Sequence, residues 1–136
     1  MIHVFVYGSL KRGFRNHHFL ATSHFIGTGT TRRDFDLLDL GYFPAAIRPG
    51  AFAIRGELFA VDRRTLNTLD LLESNGTFYR REQHPVIVQA TGLVTAWIYL
   101  LIDGAGLAAV AAEGHHKTWV GTDSLVASGI PSAPVS

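Results

Sequence analysis

Glu73 interrupts a leucine stripe. The segment 61–73 carries Leu66, Leu69 and Leu72 at helical spacing. With Leu66 set at zero and about 100° per residue, Leu69 falls at about −60°, Leu72 at about −120° and Glu73 at about −20°. The face that should be buried therefore carries a carboxylate at its last turn. A carboxylate taken out of water must pair or become protonated. Pairing would draw on Arg80 or Arg81. Protonation would bring the acid's pKa towards neutrality, which suits a general acid/base. Asp70, at about +40° on the stripe edge, reads as a solvated or capping residue.

A second group sits at the end of the first hydrophobic run, where Tyr7, Gly8, Ser9 and Leu10 follow one another. Gly8 allows a sharp turn or a close approach of backbone to ligand. Consecutive N–H groups in such a turn can cradle an anion, and Ser9 adds a hydroxyl donor. An ordinary tight turn would show the same residues. Ser9 is a poor nucleophile candidate, because no Gly-x-Ser-x-Gly elbow surrounds it. The pairs His17-His18 and His115-His116 lack the i, i+4 spacing that puts two ligands on one helix face, so no metal is expected. Glu57 and Glu82 fall in strand-like segments and read as solvated. Trp97 and Trp119 read as core or pocket wall.

These residues need a framework. Residues 2–7 form a compact apolar run that reads as a buried strand, and 8–16 has loop composition. A short helical turn is expected near 17–22. Further strands are expected at 24–32, 35–40, 52–60, 77–89 and 93–101. Breaks fall at 41–44 and at Pro49-Gly50. The best helix is 61–73, with Asp62 as N-cap. An alanine-rich helix is expected at 107–113. Many short strands with one or two helices give an α+β fold, a small curled sheet or barrel. Residues 1–120 read as one domain and 121–136 as a flexible tail.

Composition narrows the function classes. The chain has 136 residues, 47% hydrophobic and 17% charged, which is globular in character. Net charge is +1 and no basic cluster exceeds a pair, so nucleic acid is not an expected partner. There are no cysteines, which removes disulfides and thiolate catalysis. No apolar stretch reaches the roughly 20 residues of a spanning helix. The N-terminus lacks the pattern of a secretory signal. A cytoplasmic protein without membrane contact is expected; the oligomeric state is not legible.

Two segments taken together resemble the γ-glutamylcyclotransferase-like (AIG2-like) family. The first is Val4-Phe5-Val6-Tyr7-Gly8-Ser9-Leu10-Lys11-Arg12-Gly13, followed by Asn16-His17. The second is Leu69-Asp70-Leu71-Leu72-Glu73-Ser74, followed by Phe78-Tyr79-Arg80-Arg81. The strands 56–61 and 97–99 also look like the family, so the resemblance spans roughly residues 2–101. The Tyr-Gly-Ser-Leu-Lys-Arg-Gly run and the Glu-Ser pair look closest to the γ-glutamylamine cyclotransferase branch, many relatives having Glu-Gly instead.

The resemblance implies a small mixed β-barrel with flanking short helices and a pocket at one mouth. It implies a cofactor-free enzyme that releases 5-oxoproline and an amine from a γ-glutamyl amide. Glu73 matches the catalytic acid/base, and Tyr7, Gly8, Ser9 and Leu10 match the substrate-binding loop. Tyr79 and Tyr99 match aromatic positions that line or close the pocket. Many relatives carry a late Asp-Trp pair; here Trp119 has no acid beside it, which bears on the leaving-group side of the pocket. A non-catalytic protein of the same fold, binding a small carboxylate or a partner, is the alternative.

Overall fold

The apolar run at the N-terminus becomes strand β1 (Ile2–Val6), and its neighbours explain why it does not alternate with polar residues. Val4 pairs with Phe59 on one side and Trp97 on the other, and Val4, Phe5 and Val6 are all buried. A strand covered on both faces needs apolar side chains on both. The computed structural model describes residues 1–39 and 44–102. Seven strands form one sheet: β1, β2 (His24–Thr31), β3 (Phe35–Asp39), β4 (Pro44–Phe52), β5 (Arg55–Val61), β6 (Tyr79–Val88) and β7 (Gly92–Leu101). The order is β1-β5-β2-β6-β7-β4-β3, and β1 also pairs in parallel with β7. That last pairing closes β1, β5, β2, β6 and β7 into a mixed five-stranded barrel. The expected α+β barrel is the observed architecture.

Two apolar clusters divide the strands. Phe5, Leu58, Val86, Val88, Ala96 and Ile98 belong to one, inside the barrel. Val4, Val6, Phe59, Val61, Tyr79 and Tyr99 belong to the other, which includes Leu66 and Leu69 of the helix α1 (Arg63–Leu72). Burying such a Leu side chain contributes about 1.5–3 kcal/mol against leaving it exposed. Leu71, on the opposite side of α1, is 83% exposed. The leucine stripe therefore faces the barrel wall as its period requires. The Asp62 carboxylate accepts the Thr65 N–H at 2.7 Å, the expected N-cap. A 3-10 turn at His17–Leu20 matches the short helical turn.

The Pro49-Gly50 break is corrected. β4 runs through it, and the strand expected at 52–60 is β5 at Arg55–Val61. The register explains how. Phe35 pairs with Phe52 but Asp36 pairs with Ile47, so the stretch between is looped out of the ladder. A bulge is where a sheet accommodates proline. Gly50 is required there, because a Cβ on it would collide with the Phe35 backbone. The helix expected at 107–113 and the tail at 121–136 lie outside the described residues. So do Trp119, His115 and His116.

Candidate active site

The helix ends in a way that fixes Glu73. Glu73 is the C-cap of α1, with its N–H donating to Leu69 O at 2.8 Å. Ser74 follows in the left-handed region at φ 50°. Its N–H reaches Leu71 O at 3.2 Å, and the Asn75 N–H reaches Asp70 O at 2.9 Å. This is the paired Schellman arrangement, which satisfies the last carbonyls of a helix. Asn75 then accepts the Arg81 N–H through its side chain at 3.1 Å, tying the turn to β6. The chain is thereby reversed with Glu73 inside the bend. Glu73 is 0% exposed, as its place in the leucine stripe requires.

Arg81, offered by the sequence as a partner for Glu73, pairs with Asp70. Its guanidinium makes a two-pronged contact with Asp70, Nε to Oδ1 at 2.8 Å and Nη2 to Oδ2 at 3.2 Å. It also lies over the half-buried Trp97 ring, 4.3 Å from the centroid. Arg80 goes to Glu82 at 2.9 Å. Asp70 is thus neither solvated nor a cap. It accepts the Tyr99 hydroxyl at 2.7 Å as well. Sixty degrees or so separate Asp70 from Glu73 on the helix, so the stripe edge faces the barrel wall as well. What periodicity did not give was the partner, since Arg81 and Tyr99 meet only through the β6–β7 register.

Tyr99 connects the acids to the 7–10 loop. Burial, then the hydrogen bond to Asp70, then the charges of Asp70 and Glu73 push its phenol pKa well above the ordinary range, Arg81 opposing. Its carbonyl accepts the Tyr7 hydroxyl at 2.7 Å, and the same hydroxyl accepts the Ala46 N–H at 3.1 Å. Tyr79 is fully buried and donates to Pro44 O at 2.7 Å. Tyr7, Tyr79 and Tyr99 therefore brace β1, β4, β7 and the helix around Glu73.

The loop itself is built by residues that sequence reasoning had left without a role. The Lys11 N–H donates to Gly8 O at 3.1 Å, closing the turn. Asn16 clamps Ser9 twice, from its N–H to Ser9 O and from its side-chain amide to Ser9 Oγ, both at 3.0 Å. His17 Nδ1 donates to Leu10 O at 3.0 Å. Ser9 and Leu10 are buried as a result. Glu57 is a further correction: its carboxylate accepts the Arg12 N–H at 2.7 Å and meets Arg12 Nε at 3.4 Å, instead of standing in solvent. Glu82 likewise meets Arg80, Arg48 and His84. Among the described residues no cluster of three or more His, Cys, Asp or Glu is placed to hold a metal. No helix among them is long and apolar enough to cross a membrane.

A small mixed barrel with a buried glutamate at a capped helix end, braced against a strand–turn loop, defines an AIG2-like protein. The chain matches "Gamma-glutamyl cyclotransferase, AIG2-like" over residues 4–120 and belongs to that family. It is 33% identical over 123 residues to MJ1514 of Methanocaldococcus jannaschii, covering 89% of this chain and 100% of that one. It is 33% identical over 107 residues to the γ-glutamylcyclotransferase family protein YtfP of Escherichia coli K12, covering 76% and 88%. The crystal structure of a mouse AIG2-like protein superposes with a TM-score of 0.77 at 30% identity over 88% of each chain. Membership supports a cyclotransferase enzyme at the level of the family.

Proposed function

We propose that this protein cyclises the γ-glutamyl group of a small γ-glutamyl amide, releasing 5-oxoproline and the free amine, without a cofactor. The observation that carries the reading is the complete burial of Glu73 at the fixed end of α1. The reaction needs no protein nucleophile. The substrate's α-ammonium gives up a proton, and the resulting amine attacks the side-chain carbonyl carbon. The ring C–N bond forms, the original amide C–N bond breaks, and the two protons lost by the α-nitrogen end on the departing amine. Glu73 carries protons from one nitrogen to the other. Burial favours the neutral form of a carboxyl group, so the acid can hold a proton between the two steps.

Positioning supplies the rest. Holding amine and carbonyl together can be worth about 7–11 kcal/mol in an intramolecular reaction. The 7–10 loop, with Tyr7, Gly8, Ser9 and Leu10, is assigned to the α-carboxylate and the developing oxyanion through its backbone N–H groups. Tyr79 and Tyr99 are assigned to the wall beside Glu73. A cytoplasmic setting is part of the same proposal. The test is 5-oxoproline release from a panel of γ-glutamyl amines and amino acids, with Glu73→Gln alongside. A loss of about 10²–10⁴-fold in the variant is expected for a general acid/base. Turnover by Glu73→Gln near the wild-type rate would sink the assignment.

A further inference from the structure

A polar groove lies on the outer face of β5, β2 and β6, and Glu73 is not among its lining residues. Its volume is about 590 Å³, and Lys11, Thr28, Thr30, Arg55, Glu57 and Gln89 line it. That size suits a small ligand. The register puts these side chains on one face: Thr28 opposite Glu57, Thr30 opposite Arg55. Gly29 and Gly56 alternate with them and turn inward. A Cβ on Gly29 would come within 2.9 Å of Val86 Cγ1, and one on Gly56 would strike Val6 O and the Phe5 ring. The floor of the groove is therefore set by the packing of the barrel interior, which holds Thr28, Thr30, Arg55 and Glu57 in register.

The charges are unequal. Lys11 is 7% exposed, and burial lowers its pKa while Glu57 raises it. The Glu57 carboxylate is committed to Arg12 through its N–H and Nε. Arg55 is exposed and enters no ion pair with a described residue. Arg55 is thus the groove's cation without an ion-pair partner among the described residues, and the one carboxylate is already engaged. A guanidinium beside hydroxyls favours a planar carboxylate. A phosphate would bring about −1.5 to −2 charge against Glu57, which disfavours it relative to a monoanion.

We infer that this groove binds a small organic monocarboxylate, with Arg55 meeting its charge and Thr28, Thr30 and Gln89 its other polar atoms. Two sources share that chemistry: the leaving portion of a γ-glutamyl amino acid, or a separate small acid. Lys11 directly follows Leu10, and Glu57 stands opposite Val6, so the groove borders both ends of the 7–10 loop.

The test is amide NMR of the full chain titrated with N-acetylglycine, its neutral amide, and inorganic phosphate. Shifts at Lys11, Thr28, Thr30, Arg55 and Glu57 with N-acetylglycine, weaker with the other two, are expected. Arg55→Gln should weaken that binding roughly tenfold, corresponding to about 1.4 kcal/mol, while Glu73→Gln should leave it unchanged. Equal binding of the neutral amide, no shifts, or shifts confined to the 7–10 loop would overturn the inference. This titration is independent of turnover, so it stands or falls apart from the cyclotransferase reading. A turnover arm separates the two sources. A KM raised by Arg55→Gln for a γ-glutamyl amino acid but not for the matching γ-glutamyl amine identifies the leaving group. An unchanged KM for both, with the NMR binding intact, identifies a separate acid.

Discussion

Asp70→Asn should cost more than an ordinary surface ion pair. The Asp70 and Arg81 side chains are 23% and 18% exposed, and the contact is two-pronged. Exposed pairs contribute about 0–1 kcal/mol. Removing one partner of a fully buried pair costs about 3–5 kcal/mol. The pair lies between these limits, closer to the buried one. Asparagine keeps one oxygen for the Tyr99 hydroxyl but turns an NH₂ towards a guanidinium that can only donate. Arg81 retains the Trp97 face, so its charge is not left without any partner. The expected loss is therefore about 2 kcal/mol, or roughly 6–10 °C in Tm for a domain of this size. Urea unfolding of Asp70→Asn, Arg81→Gln and the double variant would check it. The two losses should couple by about 1 kcal/mol or more. Additivity within about 0.5 kcal/mol would refute the argument that the pair acts as one unit.

Further outcomes follow from the same geometry. Tyr99 holds its proton more tightly folded than unfolded, so its contribution is fully present below its ordinary value of 10.0 and is lost as pH rises beyond it. Stability measured from pH 8 upward should therefore decline above about pH 10, and Tyr99→Phe should flatten that decline; an identical slope would contradict the assignment. Ser74→Gly should raise stability by about 0.5–1 kcal/mol, because the left-handed position after a helix favours glycine. A lower urea midpoint for that variant would show that the Ser74 side chain matters more than its backbone.

Local pattern revealed the parts of the protein whose causes are local. The leucines of α1 repeat with the helical period, Asp62 precedes them, and both the helix and its cap were legible. Glu73 was legible for the same reason: one angle placed a carboxylate on a face made of leucine. β6 and β7 were legible from their β-branched and aromatic residues. β4 was not. Proline and glycine are the strongest local breakers, and their tolerance here depends on a bulge opposite Phe35 and Asp36, which no local window contains.

Asp70 and Glu57 were misread for a related reason, and the error bears on how the site works. Each carboxylate is polar and near a surface, so in isolation it should stay hydrated. Each acquires its partner through chain folding: Asp70 through a strand register that sets Arg81 beside Tyr99, Glu57 through the return of the 8–16 loop over β5. The two pairs do the same work at opposite sides of β1. Asp70 holds the helix that carries Glu73 against β6 and β7, and Glu57 holds the segment after the 7–10 loop against β5. Because Tyr99 donates to Asp70 and accepts from Tyr7, the two halves meet at one residue. Moving Asp70 would therefore be felt at Tyr7 as well as at Glu73. In the proposed intramolecular cyclisation, where orientation would be the enzyme's main contribution, that link would hold both sides of the site in place.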